Sequence, residues 1–211
     1  KLGGYKQTDI RKMLAGKQAQ ANGSMGSQNE YISGGSSRQD LETMMQLVYL
    51  QFQPLQPDMD AAQNMMTQYY TMLQGKESNP LSWYSDSVSS TPDGKTPRNI
   101  VMKKELLPAI SYQRALEIWA DRFADASDFT FFFVGTFNED TLSKYCCQYL
   151  ATLPTVKRND KPVYTDLVIR KGNIQNIYKA KMEQPQAMAS LVMHTPAKKK
   201  NIKDEIVMSI L

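Results

Sequence analysis

Histidine and cysteine are nearly absent from this 211-residue sequence, which has one histidine, His194, and two cysteines, Cys146 and Cys147. A zinc site of the usual kinds draws three or four ligands largely from these residue types, so the sequence predicts no self-contained zinc site. Two cysteines cannot form a disulfide scaffold. Adjacent cysteines on a helix also point about 100° apart, so they neither bridge nor chelate together. We expect structural or surface roles for all three residues, and a chain that is not catalytic by itself.

An excess of one charge and long apolar runs are also missing. Lys and Arg total 25 against 21 Asp and Glu, which gives a net charge of +4. Because nucleic-acid-binding proteins concentrate positive charge on one face, this scattered excess predicts no nucleic-acid partner. No apolar run approaches the roughly 20 residues of a membrane-spanning helix, so we expect no membrane span. Apolar residues make up 41% of the sequence, which is enough for a folded core.

The glycines and carboxylates do not form a known chemical motif. No glycine-rich loop follows an apolar strand with Lys and Ser or Thr after it, which excludes a phosphate-binding loop. Gly135 follows an aromatic run and is interpreted as a tight turn into a helix. The carboxylate pairs fall in the first turns of predicted helices, where they complement the helix dipole: Asp58 with Asp60, and Glu139 with Asp140. The sequence therefore predicts no catalytic, cofactor-binding or metal-binding residue in this chain.

Hydrophobic periodicity predicts helices mixed with a few strands. The predicted helices are 8–15 capped by Thr8, 40–52, one from Asp58 to Gly75, and others starting at Asn79-Pro80, Ser111, Asn138 and near Asn201. The predicted strands are a hairpin of 17–21 and 28–33 around a turn at 22–26, a strand at 129–134 buried on both faces, and strands at 174–182 and 187–195. The helices come in consecutive pairs, which favours an α+β fold with an antiparallel or mixed sheet covered by paired helices.

A polar, basic stretch with Pro162 and Gly172 predicts a domain boundary. We expect an α+β domain at 1–155, a linker at 156–164 and the start of a following domain at 165–211. The sequence opens without an initiator Met and closes without a helix stop signal, so we expect a piece of a longer protein. The methionines at helical spacing are typical either of core or of an adaptable binding surface: Met44, Met45, Met65, Met66 and Met72.

Three segments together carry a family resemblance. Residues 34–42 read GGSSRQDLE, residues 128–137 read DFTFFFVGTF, and residues 149–154 read YLATLP. Their order and spacing resemble the second, non-catalytic half of the pitrilysin/insulinase family of zinc metallopeptidases. Residues 172–211 resemble the opening of that family's next repeat domain. The resemblance implies a LuxS/pitrilysin-like metallopeptidase fold, and a first domain that lacks its first strands.

The same resemblance implies a function. In that family two similar halves form a clamshell around short peptides, and the active half binds zinc through H-x-x-E-H and a distal Glu. This sequence has no H-x-x-E-H, so no catalytic residue carries over and zinc is expected only in the catalytic half of the parent protein. The implied partners are the catalytic N-terminal half of the same protein and a peptide substrate. The family resemblance also implies a periplasmic or cell-envelope location if the source is bacterial.

Two other functions stay open at the level of sequence. The first is a catalytically inactive scaffold or peptide-binding member of the same fold, which differs from the peptidase in that the parent chain would lack H-x-x-E-H. The second is an unrelated peptide- or glycan-binding module that uses the methionine surface and the polar hairpin. The peptide substrate and the oligomeric state do not follow from the sequence.

Overall fold

The computed structural model describes residues 1–26, 29–93, 99–158, 160–161, 163, 169–182, 186–193 and 201–210. The described residues form seven α-helices and one antiparallel hairpin of two strands. This content confirms the predicted α+β class. The strands are β1 (Ala19–Met25) and β2 (Glu30–Ser36). The α-helices are α1 (Gln7–Met13), α2 (Leu41–Gln51), α3 (Met59–Glu77), α4 (Pro80–Ser90), α5 (Tyr112–Arg122), α6 (Glu139–Tyr145) and α7 (Ile202–Ile210). Short 3₁₀ turns lie at Lys104–Ala109 and Ala126–Asp128, and a π-helical turn at Cys146–Leu150 extends α6.

The chain divides into two compact units. The first unit contains residues 1–75 and 102–166, and the second contains 76–101 and 167–211. The hairpin, α2, α5, α6 and the aromatic core all belong to the first unit. The domain limits expected from the sequence, with a linker at 156–164, remain a prediction.

The hairpin forms as predicted, but its strands are longer and its turn lies later in the chain. The register runs from Ala19 opposite Ser36 to Met25 opposite Glu30, so the predicted turn at 22–26 falls largely inside β1. The reason is a close contact across the fold. A Cβ atom on Gly23 would lie 2.6 Å from the Trp119 ring and 3.0 Å from the Gln51 side-chain oxygen. The glycine therefore permits close packing within a strand and does not mark a turn.

α2 packs on the hairpin and provides the centre of the fold. Met44 and Met45 are buried, as their helical spacing predicts, and Leu47, outside the predicted stripe, is buried as well. The buried Gln51 side chain donates a hydrogen bond from Nε2 to the Ala21 carbonyl at 3.0 Å, which satisfies its polar group. At the start of α2, the Asp40 carboxylate accepts hydrogen bonds from the Ser37 hydroxyl and the Gln18 backbone amide. Residues 34–36 belong to β2, so this strand continues beyond its predicted end at residue 33.

An aromatic cluster forms the second part of the core. Phe123 stacks on Trp119 with ring centroids 4.4 Å apart and contacts Phe52 edge-on at 5.9 Å. Phe129 approaches both Phe52 and Phe123, at 5.0 and 5.6 Å. Offset and edge-to-face pairs of this kind each add about 0.5–1.5 kcal/mol beyond the burial of their area. The cluster joins α2, α5 and the chain that follows α5.

Most predicted helix starts are confirmed by capping hydrogen bonds. The side chains of Asp58, Asn79, Ser111 and Asn138 each accept a hydrogen bond from a backbone amide in the first turn of the helix that follows. α1 forms where a helix was predicted, but the predicted cap is wrong. The helix begins at Gln7, so Thr8 lies inside it, and the Asp9 carboxylate accepts a hydrogen bond from the Lys6 amide at 3.3 Å.

Apolar side chains at helical spacing are partly or largely exposed on three helices. On α3, Ala62 and Leu73 are buried, but Met65, Tyr69 and Met72 are about half exposed. Met13 on α1 is also half exposed. On α7 the Ile206 and Ile210 face is open to solvent in the described part of the chain. Helical spacing places these side chains on one face, but it does not supply a partner that covers the face.

The predicted strand at 129–134, buried on both faces, is wrong. The segment pairs with no strand among the described residues, and exposed fractions reach 85% at Phe132 and 99% at Val134. Phe129 and Phe131, in contrast, pack against the aromatic cluster. Burial therefore alternates residue by residue, which is the two-residue period of a strand with one face covered.

The strands predicted at 174–182 and 187–195 are also wrong where the structure describes them, because no ladder forms there. Their apolar residues are largely exposed, including Ile177 at 74% and Leu191 at 84%. In the described part of the second unit, a backbone bridge between Asp93 and Ile169 and single side-chain hydrogen bonds connect the segments. Asn176 donates to the Thr91 hydroxyl at 2.7 Å, and the Tyr84 and Ser190 hydroxyls lie 2.6 Å apart. The Pro- and Gly-containing sequence at 91–97 also predicts an exposed turn, and this segment lies partly outside the described residues.

Candidate functional site

A cleft lies beside the hairpin in the first unit. It has a volume of about 730 Å³. One wall is β2, the opposite wall is the segment 129–137, and the floor is the α2 face with Met44, Met45 and Val48. We call this space the β2 cleft. Its floor is apolar, whereas one end carries charged side chains.

The 129–137 wall is fixed at both ends. Phe129 donates its backbone N–H to the Ala126 carbonyl at 3.2 Å, which closes the 3₁₀ turn before the segment. Near the other end, Arg38 Nε donates to the Thr136 carbonyl at 3.0 Å, and Gly135 adopts a positive φ of 145° that favours glycine. Asn138 then caps α6. The wall is therefore held in place although the middle of the segment has no strand partner in the described chain.

A charged network closes one end of the β2 cleft. Arg122 binds the Glu30 carboxylate with two hydrogen bonds of 2.5 and 3.2 Å and also reaches Asp160 at 3.4 Å. Arg158 pairs with Asp160 at 3.1 Å and with Asp121 at 3.0 Å. The hydrogen bond to Glu30 is the main cause of a raised Arg122 pKa, which favours the charged guanidinium. Paired charges of this kind position chain segments and leave no free base or nucleophile.

Asp125 ties the chain after α6 to the aromatic core. Its buried carboxylate accepts hydrogen bonds from the Ser127 hydroxyl and the Arg158 backbone N–H, both at 2.6 Å. The Ser127 hydroxyl, followed by the Arg158 amide, lowers the pKa of Asp125 to about 2. Because the carboxylate remains ionised and fully hydrogen-bonded, it acts as a structural acceptor rather than as a general acid or base.

A second polar cluster joins α2 to the helical segment 139–150. The Tyr149 hydroxyl donates to the Glu42 carboxylate at 2.8 Å and accepts from the Gln46 side chain at 3.1 Å. Tyr145 reaches the same carboxylate at 3.4 Å. Burial is the largest of the effects that raise the pKa of Tyr149, so its phenol stays protonated and keeps its role as a donor. These hydrogen bonds hold α2 and the helical segment 139–150 together.

The residues singled out in the sequence do not meet in one site. Cys146 and Cys147 are free thiols at the π-helical turn, the first partly buried and the second exposed. Burial, followed by the neighbouring Cys147, raises the pKa of Cys146, which disfavours the reactive thiolate. His194 lies outside the described residues. Across the residues that the structure describes, no three His, Cys, Asp or Glu side chains are grouped to hold a metal ion.

The charged network was not predicted, and the sequence holds little signal for it. Glu30 and Arg122 are 92 positions apart, and Asp125 and Arg158 are 33 apart. Helix and strand periodicity report only local neighbours.

In the described part of the chain, no helix is both long enough and apolar enough to cross a membrane.

Part of the chain matches a known protein family. Residues 109–211, just under half of the chain, match the family model described as the peptidase M16 inactive domain. For this part of the chain, the match confirms the resemblance to the non-catalytic half of the pitrilysin/insulinase family.

A solved structure has a similar fold. A crystal structure of a mutant of the ferredoxin protease FusC, in complex with Arabidopsis ferredoxin, aligns with a TM-score of 0.56 at 13% sequence identity. The alignment covers 78% of this chain and 18% of that chain, so the chain spans less than a fifth of that protease's length. At this identity the likeness shows the α+β fold alone. No curated protein matches the chain.

Proposed function

We propose that this chain forms the non-catalytic wall of an M16-type peptide chamber. A catalytic half of the same protein would hold the zinc ion, and this chain would enclose and orient the peptide opposite it. The observation that carries the proposal is the match of residues 109–211 to the M16 inactive domain. The proposal gives the chain a role in positioning the peptide, which can supply a large part of a rate enhancement without any reacting group.

The composition and the structure agree with such a role. With one histidine in the sequence, the chain cannot supply an H-x-x-E-H motif of its own. Among the acidic groups at the β2 cleft, Glu30 pairs with Arg122, Asp160 pairs with Arg158, and Asp125 accepts from the Arg158 backbone amide. The partly buried thiol of Cys146 has a raised pKa. These contacts support a role for the named groups in holding the fold rather than in catalysis.

A substrate-size experiment on the full-length protein tests the proposal. An enclosed chamber admits short, unfolded peptides and excludes bulky ones. We expect full-length protein to cleave a fluorogenic peptide, and to cleave the same peptide far more slowly when a folded domain is fused to each end. The 211-residue chain alone should cleave neither substrate.

Two results would contradict the proposal. One is equal cleavage of the free and the doubly fused peptide, since an open surface would not discriminate by size. The other is a full-length protein that lacks H-x-x-E-H and cleaves no peptide, which would instead indicate a scaffold of the same fold.

A further inference from the structure

The chain that leaves the π-helical turn folds back onto the corner that follows α5. The Ala126 N–H donates to the Pro154 carbonyl at 2.9 Å, and the Arg158 N–H donates to the Asp125 carboxylate at 2.6 Å. These bonds attach the backbone of the returning chain at two points. We call residues 154–158 and 160 the strap.

A second set of contacts uses the charged side chains of the strap. The Arg158 guanidinium donates to the Asp121 carbonyl at 2.7 Å and to its carboxylate at 3.0 Å, and it pairs with Asp160 at 3.1 Å. Asp160 in turn reaches Arg122, which binds Glu30 on β2. Ion pairs therefore connect the strap to α5 and, through α5, to the hairpin.

Polar contacts rather than burial hold the strap in place. Val156 is 59% exposed, so its side chain adds little packing. Lys157 has a φ of 51°, and among the described residues it is the only one other than glycine with a positive φ. Such a conformation persists where the surrounding contacts over-determine the backbone. The Asp125 side chain lies at the centre of these contacts in a residue that is 3% exposed, and opening the strap would remove a donor from this buried charge.

We propose that the strap is an ionic lock that fixes the direction in which the chain leaves the first unit. Asp125 and Arg158 are its positioning residues, because the first holds the backbone of the strap and the second holds the strap against α5. Release of the lock would free the chain after the π-helical turn, and so the lock controls how freely the following residues move. The inference rests on these contacts alone and does not depend on the proposed function.

The two parts of the lock should respond differently to salt. The side chains of Asp121 and Asp160 are 61% and 41% exposed, and ion pairs that are open to water are screened by salt. The Debye length falls from about 10 Å at 0.1 M salt to about 3 Å at 1 M. The Asp125 carboxylate is buried, so its hydrogen bond from the Arg158 amide is screened much less. Salt should therefore loosen the strap, and loss of the Asp125 carboxylate should release it.

Limited trypsin digestion of the full-length protein without substrate, followed by quantitative mass spectrometry, tests the lock. Trypsin requires an extended chain, so cleavage after Lys157 reports the open population of the strap. Cleavage after Arg114, on α5, reports unfolding of the first unit and is the internal reference. Asp125→Ala leaves the Arg158 amide without its acceptor. We expect this change to raise the ratio of strap to reference cleavage by about 10- to 100-fold, the effect of one hydrogen bond to a charged group.

Ser127→Ala is the matched control for this change. It removes the Ser127 hydroxyl, which donates to the other oxygen of the Asp125 carboxylate, and leaves the bond from the Arg158 amide in place. The cleavage ratio should therefore stay near that of the unchanged protein.

Arg158→Lys tests the ion pairs separately. It keeps the backbone bond to Asp125 but loses the planar fork that joins Asp121 and Asp160. At 0.1 M salt this change should raise the cleavage ratio by about 2- to 10-fold. Raising the salt to 1 M should increase the ratio similarly in the unchanged protein but add little in Arg158→Lys, because both perturbations remove the same pairs.

Three results would overturn the proposal. The first is an unchanged ratio in Asp125→Ala while cleavage after Arg114 also stays unchanged, since the carboxylate would then not hold the strap. The second is an equal rise in Ser127→Ala, which would assign the effect to the local turn. The third is a salt effect of the same size in Arg158→Lys and in the unchanged protein, which would exclude the ion pairs from the lock. If Asp125→Ala unfolds the first unit, the salt comparison with Arg158→Lys decides.

Discussion

Replacing Phe123 by alanine should destabilise the first unit more than almost any other single change. The side chain is 2% exposed, and its ring contacts those of Phe52, Trp119 and Phe129 at centroid distances of 5.9, 4.4 and 5.6 Å. Truncation removes the ring, leaves a cavity between α2 and α5, and abolishes three aromatic pairs at once.

The expected loss can be estimated from these contacts. A buried Phe→Ala change costs about 3–5 kcal/mol through lost transfer energy and the remaining cavity. With three aromatic pairs lost, we expect the upper part of that range for Phe123→Ala, about 4–5 kcal/mol. For a chain of this size each kcal/mol lowers the thermal midpoint by roughly 2–4 °C, so the midpoint should fall by roughly 8–20 °C.

Urea unfolding followed by tryptophan fluorescence measures the effect. Trp119 stacks on Phe123 in the first unit, whereas Trp83 belongs to the second, so a Trp83→Phe background leaves one reporter for the relevant transition. The matched control is Phe132→Ala, which removes the same side chain from a position that is 85% exposed and should cost less than about 0.5 kcal/mol in the 211-residue chain. If Phe132→Ala destabilised this chain as much as Phe123→Ala, the aromatic cluster would not be the core.

Two further changes test the local packing and the electrostatics. Gly23→Ala should lower the free energy of unfolding by about 1–3 kcal/mol, because the new Cβ would lie 2.6 Å from the Trp119 ring. Gly35→Ala is the control, since no atom lies within 4 Å of its new Cβ and the urea midpoint should change little. Equal effects of the two changes would place Gly23 away from the tryptophan. Asp125 has a pKa of about 2 in the fold, below the roughly 3.9 of an unfolded Asp, so its stabilisation is fully present above about pH 5 and is lost as pH falls towards 2. Asp125→Asn should therefore flatten the fall in unfolding free energy between pH 5 and 2, measured by urea titration at each pH, and parallel curves for both proteins would contradict this assignment.

Features set by local sequence could be predicted. Asn79 before Pro80, and Ser111 and Asn138 before apolar helical repeats, mark helix starts because a cap needs only the backbone amides of the next turn. The hairpin was predicted, but its turn was placed too early. The role of Gly23 depends on Trp119, which lies 96 positions later in the sequence and contacts it only in the folded chain.

Features set by distant partners could not be predicted. The aromatic run around Phe132 was interpreted as a strand buried on both faces, since composition reports how apolar a segment is but not which element covers it. In the described structure only its inward face is covered. The pairing of Glu30 with Arg122 likewise depends on how β2 and α5 pack, which no local pattern encodes.

The most direct test of the non-catalytic role is the zinc content of the purified 211-residue chain after dialysis, measured by inductively coupled plasma mass spectrometry. Because the sequence offers one histidine and two adjacent cysteines as its strongest ligands, we predict far less than one zinc ion per chain. One tightly bound zinc ion per chain, together with peptide cleavage that a chelator abolishes, would contradict the conclusion that this chain provides a wall rather than the reacting groups.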